Sequence, residues 1–201
     1  MCSFCQGGED SALVPFAPRI AQDLGPLILV TSEDTLSLVL ETLSVVLEVD
    51  QGQWLTPELA GSLVNAALEV WNKNNKGEPR SGSTVATLTD HDLPDPIFIS
   101  ILTDIITNLA SSRTSGIYET VVKQALPLLS STISVSKKEE SWIAASAIDL
   151  VSSLVKGAPD SGLGDGFFNL LGPNLFSCLT TAEDRDVLQA SVILRFFRLM
   201  S

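Results

Sequence analysis

The chain has 201 residues, of which 45% are hydrophobic and 18% are charged. This balance excludes an intrinsically disordered chain, which would lack the apolar side chains that a core needs. The formal net charge of -12 repels phosphate groups and attracts basic proteins, so nucleic acid and anionic membranes are unfavourable partners.

The cysteines and the absence of targeting patterns bear on the compartment. Cys2, Cys5 and Cys178 form an odd set, which indicates a reducing compartment rather than a secreted disulfide framework. The sequence contains no N-glycosylation acceptor, no signal-peptide pattern and no apolar run near the ~18 residues of a membrane span. We therefore expect a soluble intracellular chain.

The dominant period of the sequence is helical. Apolar residues recur at three- and four-residue steps in a segment that begins at Ser32 or Glu33 and ends at the turn Asp50–Gly52. Thr56–Glu58 then combine a capping hydroxyl, a proline at the first helical position and an acid at the positive helix end. In chain order, helices are predicted at 12–30, 33–48, 57–74, 95–111, 116–133, 139–156, 165–180 and 184–199.

A helix-turn-helix unit recurs along the chain. An acid flanked by aliphatic residues marks it at Glu41, Asp104 and Asp149. The last two markers lie 45 residues apart, which is within the roughly 40 to 47 residues of a HEAT or armadillo repeat. Glu41 and Asp104 lie farther apart than one repeat. Residues 76–94, a polar stretch rich in turn formers, explain the excess, and we predict that they form a flexible loop inserted into a repeat.

Prolines provide a second marker of the unit. Pro26, Pro127 and Pro173 lie in corresponding predicted helices, although a proline inside a helix costs ~3 kcal/mol. Their recurrence predicts a tolerated bend at a fixed position of the unit. The helix that contains Trp71, a residue we interpret as part of the core, has Glu69 in place of the proline.

These markers predict an all-α fold in which the whole chain, 1–201, is one α-solenoid segment of HEAT/ARM-type helical repeats, about four helix pairs long. The last predicted helix has no partner after it, so we expect a piece of a longer solenoid. The repeats are expected at approximately 12–48, 57–111, 116–156 and 165–199.

No motif predicts catalysis, a cofactor or a metal site. Cys2 and Cys5 have the spacing of half a zinc site, but a closed site needs four ligands. His91 lies in the polar insertion, where no rigid scaffold would hold a catalytic triad. The glycines of 162–166 follow no strand, so they predict a turn between helices rather than a phosphate-binding loop. We therefore predict that the chain is not an enzyme.

The acidic residues are concentrated around the first complete unit and the insertion. They are Glu33, Asp34, Glu41, Glu48 and Asp50 around that unit, Asp90, Asp92 and Asp95 in or just after the insertion, and Asp104 on the next helix. For each single acid, the alternative is a simple solvated charge on a helix face. As a group, they predict a surface that faces basic cargo, because the concave side of a curved solenoid focuses its electric field.

Three strings of the sequence carry a resemblance to a known family. They are Ser32–Leu36 with Leu40–Val46, Asn75–Lys76 with Asp95–Ile97, and Ala144–Val151. These strings resemble the importin-9 branch of the importin-β family of nuclear import receptors. The resemblance covers most of the chain, and its strings are typical of repeat scaffolds rather than of a catalytic signature.

The resemblance implies a parent solenoid that carries basic cargo, such as core histones and ribosomal proteins, through nuclear pores under the control of the small GTPase Ran bound to GTP. It also implies shuttling between cytoplasm and nucleus, and contacts with nuclear pore proteins through the parent receptor. The family's principal Ran-binding region lies in N-terminal repeats that this chain lacks. An alternative is a HEAT-repeat scaffold of another multi-subunit assembly. In either case we expect a monomer without direct nucleic-acid or membrane contact.

Overall fold

The computed structural model describes residues 10–30, 32–75, 96–135, 141–160 and 162–181. Within these ranges the chain forms helices and turns and no strand, which confirms the all-α prediction. The predicted loop 76–94 and the predicted helix 184–199 lie outside the described residues. The helices are α1 (Asp10–Leu13), α2 (Ala17–Val30), α3 (Glu33–Glu48), α4 (Pro57–Asn75), α5 (Pro96–Ala110), α6 (Ile117–Val135), α7 (Ser141–Lys156) and α8 (Asp165–Thr181).

The turn between α3 and α4 forms as the sequence signals predict. Asp50, Gln51 and Gly52 have positive φ angles of 50°, 52° and 67°, so the chain reverses within the short segment Val49–Gly52 that joins the two helices. The backbone N–H of Leu59 then donates to the Thr56 hydroxyl oxygen at 3.3 Å, so the threonine caps α4 at its predicted start.

The first predicted helix, 12–30, is wrong as a single element. The structure has a break at Val14–Phe16 between the single turn α1 and the longer helix α2. Pro15 and Pro18 explain it, because a proline inside a continuous helix removes a hydrogen bond and its ring collides with the preceding turn. Pro18 is instead the second residue of α2, where its missing N–H would have had no helical acceptor.

The helices pack in two rows. One row contains α3, α5 and α7, and the other contains α2, α4, α6 and α8. Consecutive helices alternate between the rows, so each helix packs most closely within its row on the second helix after it. This order is consistent with a repeat of helix pairs.

Hydrogen bonds show that α3 and α5, which are neighbours in one row, run in the same direction. Near the ends of α3 and α5, the Asn108 side-chain amide donates to the Ser44 carbonyl at 3.4 Å. Just beyond those ends, the Ser112 hydroxyl donates to the Gly52 carbonyl at 2.9 Å. In the other row, the Asn174 amide donates to the Ser130 carbonyl of α6 at 3.2 Å. The turns that follow α3 and α5 therefore lie together at one edge of the molecule.

The proline markers fall in a single row. Pro26, Pro127 and Pro173 lie inside α2, α6 and α8, and α4 is the member of that row whose sequence has no internal proline. The three markers therefore lie in helices of one row, and the bend predicted at each of them stays a prediction.

A continuous apolar core fills the space between the rows, and Trp71 is among its largest fully buried side chains. Large apolar side chains that remain exposed are found mainly toward the first and last described helices, and none is described on α4, α6 or α7. Those at the first end are Leu13, Phe16, Leu27, Leu29, Val30, Leu38 and Val45, and those on α8 are Phe168, Leu170 and Phe176.

Candidate binding surfaces

The acids predicted to face cargo are only partly described. Asp90, Asp92 and Asp95 lie outside the described residues. Glu33 and Asp34 form the first turn of α3, and the described part of the structure does not extend to their side chains. The predicted surface therefore stays a prediction at all five positions, and the candidate site must be built from other acids.

Three acids occupy the same position in the helices of one row. Glu41, Asp104 and Asp149 are each the ninth residue of their helix, in α3, α5 and α7 respectively. All three are exposed. Packed helices lie about 8–10 Å apart, so we expect carboxylates at equivalent positions to be separated by about that distance. We call these three residues the acidic ladder.

No described ion pair involves the acidic ladder, although the Lys156 ammonium lies near Asp149. The ion pairs among the described residues join Arg19 to Asp23 in α2 and Lys73 to Glu69 in α4, each between side chains one helical turn apart. Both pairs therefore belong to the other row of helices. The field of the ladder is left uncompensated by any described ion pair, and an exposed uncompensated field attracts cations from solution.

Asp149 differs from the other two members of the ladder. Burial by its surroundings raises the pKa of its carboxyl, and the nearby Lys156 ammonium opposes that rise. A cation that binds beside Asp149 would favour the ionised form and lower the pKa again.

The sequence pattern indicated part of the ladder. Glu41 and Asp104 belong to the group of acids predicted to face cargo, whereas Asp149 was recognised only as a marker of the repeat. The signal that could have found the ladder is the ninth position within each helix, since equal positions on parallel helices become neighbours when the helices pack side by side.

A polar groove lies in the other row, between α4 and α6, with a volume of about 420 Å³. The two helices approach closely because Gly61 has no side chain: a Cβ atom there would lie 2.8 Å from Nε2 of Gln124. The lining residues are Pro57, Glu58, Gly61, Ser62 and Asn65 of α4 and Thr120 and Gln124 of α6. We call this feature the α4–α6 groove.

The polar groups of the α4–α6 groove are poorly satisfied within the chain. Oε1 of Gln124 is buried and has no hydrogen-bond partner. The Thr120 hydroxyl donates within its own helix, to the Gly116 carbonyl at 2.7 Å. A buried acceptor without a partner costs about 1–3 kcal/mol, so the groove contains a hydrogen-bonding group that the described protein leaves unused.

A second, mainly apolar groove of about 480 Å³ lies between α6, α8 and the loop that joins α7 to α8. Gly162 and Gly164 have φ angles of 91° and 78°, so these glycines serve the predicted inter-helix turn. Tyr118 also lines the groove, and its phenol oxygen is buried without a partner. Burial, with a smaller effect of the Glu119 charge, raises the pKa of Tyr118 to about 12.

The remaining candidate residues add little chemistry. Cys2, Cys5 and His91 lie outside the described residues. Cys178 is half-buried, and burial raises the pKa of its thiol, which disfavours the reactive thiolate. In the described ranges no group of His, Cys, Asp or Glu is arranged to hold a metal ion, and no described helix is long and apolar enough to cross a membrane.

Comparison of the chain with protein-family models, curated proteins and solved structures found no match. The functional argument therefore depends on the residues of this chain.

Proposed function

We propose that the chain is a binding segment of a nuclear transport receptor, built from HEAT/ARM-type repeats, that takes basic protein cargo on its acidic ladder. The cargo class would be that of core histones and ribosomal proteins. In this proposal Ran-GTP and nuclear pore proteins act through the parent receptor, which moves between cytoplasm and nucleus. The observation that carries the proposal is the equivalent position of Glu41, Asp104 and Asp149 in the helices of one row.

The helix packing supports the repeat part of the proposal. Helices α3 and α5 run parallel, and the helices of each row pack on the second helix after them, as successive pairs do in an α-solenoid. Exposed apolar residues such as Phe16 and Phe176 lie toward the two ends of the rows. Such residues suit helices that stack on further repeats, because each repeat buries its apolar face against its neighbours.

Charge supports the cargo part of the proposal. The net charge of -12 attracts basic proteins over a Debye length of about 8 Å at physiological salt. The ladder adds geometry to this general attraction. Its expected spacing of about 8–10 Å per helix corresponds to about every third residue of an extended chain, which advances ~3.3–3.6 Å per residue.

The test is a titration of a labelled core-histone dimer with the 201-residue chain at low and physiological salt. The ladder variant combines Glu41→Gln, Asp104→Asn and Asp149→Asn. The matched control combines Asp23→Asn, Glu69→Gln and Glu119→Gln, which removes the same charge from the other row. We expect the ladder variant to weaken binding by about tenfold and the control by about twofold.

Equal weakening by the two variants would show that only net charge matters, and the ladder would be rejected as the cargo surface. A second comparison uses two peptides of equal charge, one with lysine at every third position and one with its lysines adjacent. The ladder predicts tighter binding of the spaced peptide, whereas diffuse attraction favours the adjacent lysines.

A general HEAT-repeat scaffold is the second candidate. The exposed apolar residues at the ends of the rows favour it equally, since a scaffold also stacks on neighbouring repeats. The two functions differ in regulation: a receptor releases basic cargo when Ran-GTP binds the parent protein, and a scaffold holds its subunit regardless of Ran. Cargo retention by the parent protein in saturating Ran-GTP would therefore favour the scaffold.

A further inference from the structure

We propose that the α4–α6 groove binds a lysine or arginine side chain of a basic partner. This inference rests on the proposed binding of basic proteins and adds a specific site to it, on the row of helices that does not carry the acidic ladder. The argument combines the shape of the groove, its unused hydrogen-bonding groups and its charge.

The shape of the groove is that of a slot for a side chain. Gly61 lets the Gln124 amide lie directly against α4, since a Cβ atom at this position would lie 2.8 Å from Nε2 and 3.3 Å from Oε1 of Gln124. The wall of α4 is made by residues one and two turns apart on a single helix face. A volume of about 420 Å³ is ample for one long side chain.

Two groups of the groove can only accept hydrogen bonds. Oε1 of Gln124 has no donor and the Glu58 carboxylate has no proton to donate, whereas Ser62 and Asn65 can either donate or accept. A ligand that satisfies both acceptors must therefore bring hydrogen-bond donors. Lysine has three donors and arginine has five, and neither has an acceptor. An apolar ligand would leave Oε1 unsatisfied.

The charge of the groove selects a cation over an anion. Glu58 is exposed and belongs to no ion pair among the described residues. The N-terminus of α4 favours an anion by about 0.3–1 kcal/mol within its first turn. The Glu58 carboxylate lies in that turn and is already such an anion. Ser62, Asn65 and Gln124 lie beyond the first turns of their helices, so a cation paired with Glu58 can reach them without facing a helix end.

The test measures binding of a fluorescein-labelled octalysine peptide to the full 201-residue chain by fluorescence anisotropy. Glu58→Gln removes the charge, and Gln124→Met removes the acceptor at similar volume. Glu69→Gln, on the same helix outside the groove, is the matched control. We expect each groove variant to weaken binding about fivefold and the control less than about twofold. The Nε-acetylated peptide should not bind.

The outcomes separate the groove from the acidic ladder. If Glu58→Gln and Glu69→Gln weaken octalysine binding equally and Gln124→Met has no effect, the groove is rejected while the proposed cargo surface stands. If octalysine fails to bind the unmodified chain at low salt, both proposals fail. Circular dichroism checks the fold of each variant.

Nuclear magnetic resonance provides a readout that needs no variant. Octalysine should shift the amide signals of Gly61, Ser62 and Thr120 and the side-chain amide signals of Gln124 and Asn65. If octalysine binds saturably and none of these amide signals shifts, the inference is overturned. This result does not depend on whether the variants fold.

Discussion

Trp71 donates its indole N–H to the Ser146 hydroxyl oxygen at 3.3 Å, although 75 residues separate them. The bond connects α4 in one row to α7 in the other. Trp71 is 1% exposed, so no water can replace the acceptor. The Ser146 hydroxyl in turn donates to the Ile143 carbonyl at 3.0 Å, which extends the polar link through the apolar core.

Ser146→Ala should lower the free energy of unfolding by about 1–3 kcal/mol, because the buried indole N–H loses its acceptor. Ser152→Ala is the control: its hydroxyl donates only within its own helix, to the Ile148 carbonyl at 2.9 Å, and its loss should change stability little. Urea unfolding followed by circular dichroism measures both. Equal losses would show that the bond to Trp71 adds no stability.

Gly157→Ala should destabilise the chain by more than about 2 kcal/mol. A Cβ atom there would lie 2.5 Å from Cβ and 2.9 Å from the carbonyl carbon of Ala110, so backbone must move. Gly166→Ala is the matched substitution inside α8, where a Cβ atom meets nothing within 4 Å. It should stabilise by about 0.5 kcal/mol through helix propensity. Thermal and urea unfolding measure both variants. Equal changes in stability for Gly157→Ala and Gly166→Ala would contradict the structure.

Glu48→Gln and Glu58→Gln should have opposite effects on stability. Glu48 is the last residue of α3, and Glu58 lies in the first turn of α4. An acid is unfavourable at the negative end of the helix dipole and favourable at the positive end, by about 0.3–1 kcal/mol. Urea unfolding at low salt should therefore show a gain for Glu48→Gln and a loss for Glu58→Gln, and both differences should shrink in 1 M salt.

The phenol of Tyr118 should ionise only near pH 12, because burial raises its pKa to about 12. It is the single tyrosine of the chain, so ultraviolet absorbance of tyrosinate measures it alone. The unfolded chain ionises near its ordinary pKa of about 10 and therefore binds fewer protons than the folded chain between these two values. The contribution of the protonated Tyr118 phenol to stability is thus fully present below about pH 10, and it is lost as the pH rises toward 12.

The control for this titration is the same chain in concentrated urea, where the midpoint should return to about 10. A folded chain that titrates near pH 10 would show that the phenol reaches solvent, and the apolar groove beside it would then be more open than the structure indicates.

Much of the fold could be predicted because its determinants are local. Thr56 and Pro57 mark the start of α4, and periodic apolar residues mark the face of α3 that meets the core. The error at Val14–Phe16 has a local cause as well, because Pro15 and Pro18 interrupt a continuous helix. The proline markers of the predicted repeats lie in helices of one row.

The candidate sites were less predictable. Density of acids led to Asp90, Asp92 and Asp95, whereas the acidic ladder takes one residue from each of three helices. The groove beside Gly61 has no sequence signal, because a glycine within a helix predicts only lower helix propensity. Gly61 shapes the groove only because Gln124 of another helix packs against it.

The sequence by itself determined which segments are helical and where acids and prolines recur, because capping, periodicity and steric exclusion act over a few neighbouring residues. Tertiary structure alone decided which helices became neighbours. Packing placed Trp71 on Ser146 and Gly61 beneath Gln124. These relationships depend on the burial of complementary surfaces between helices far apart in the chain, which no local pattern of residues records.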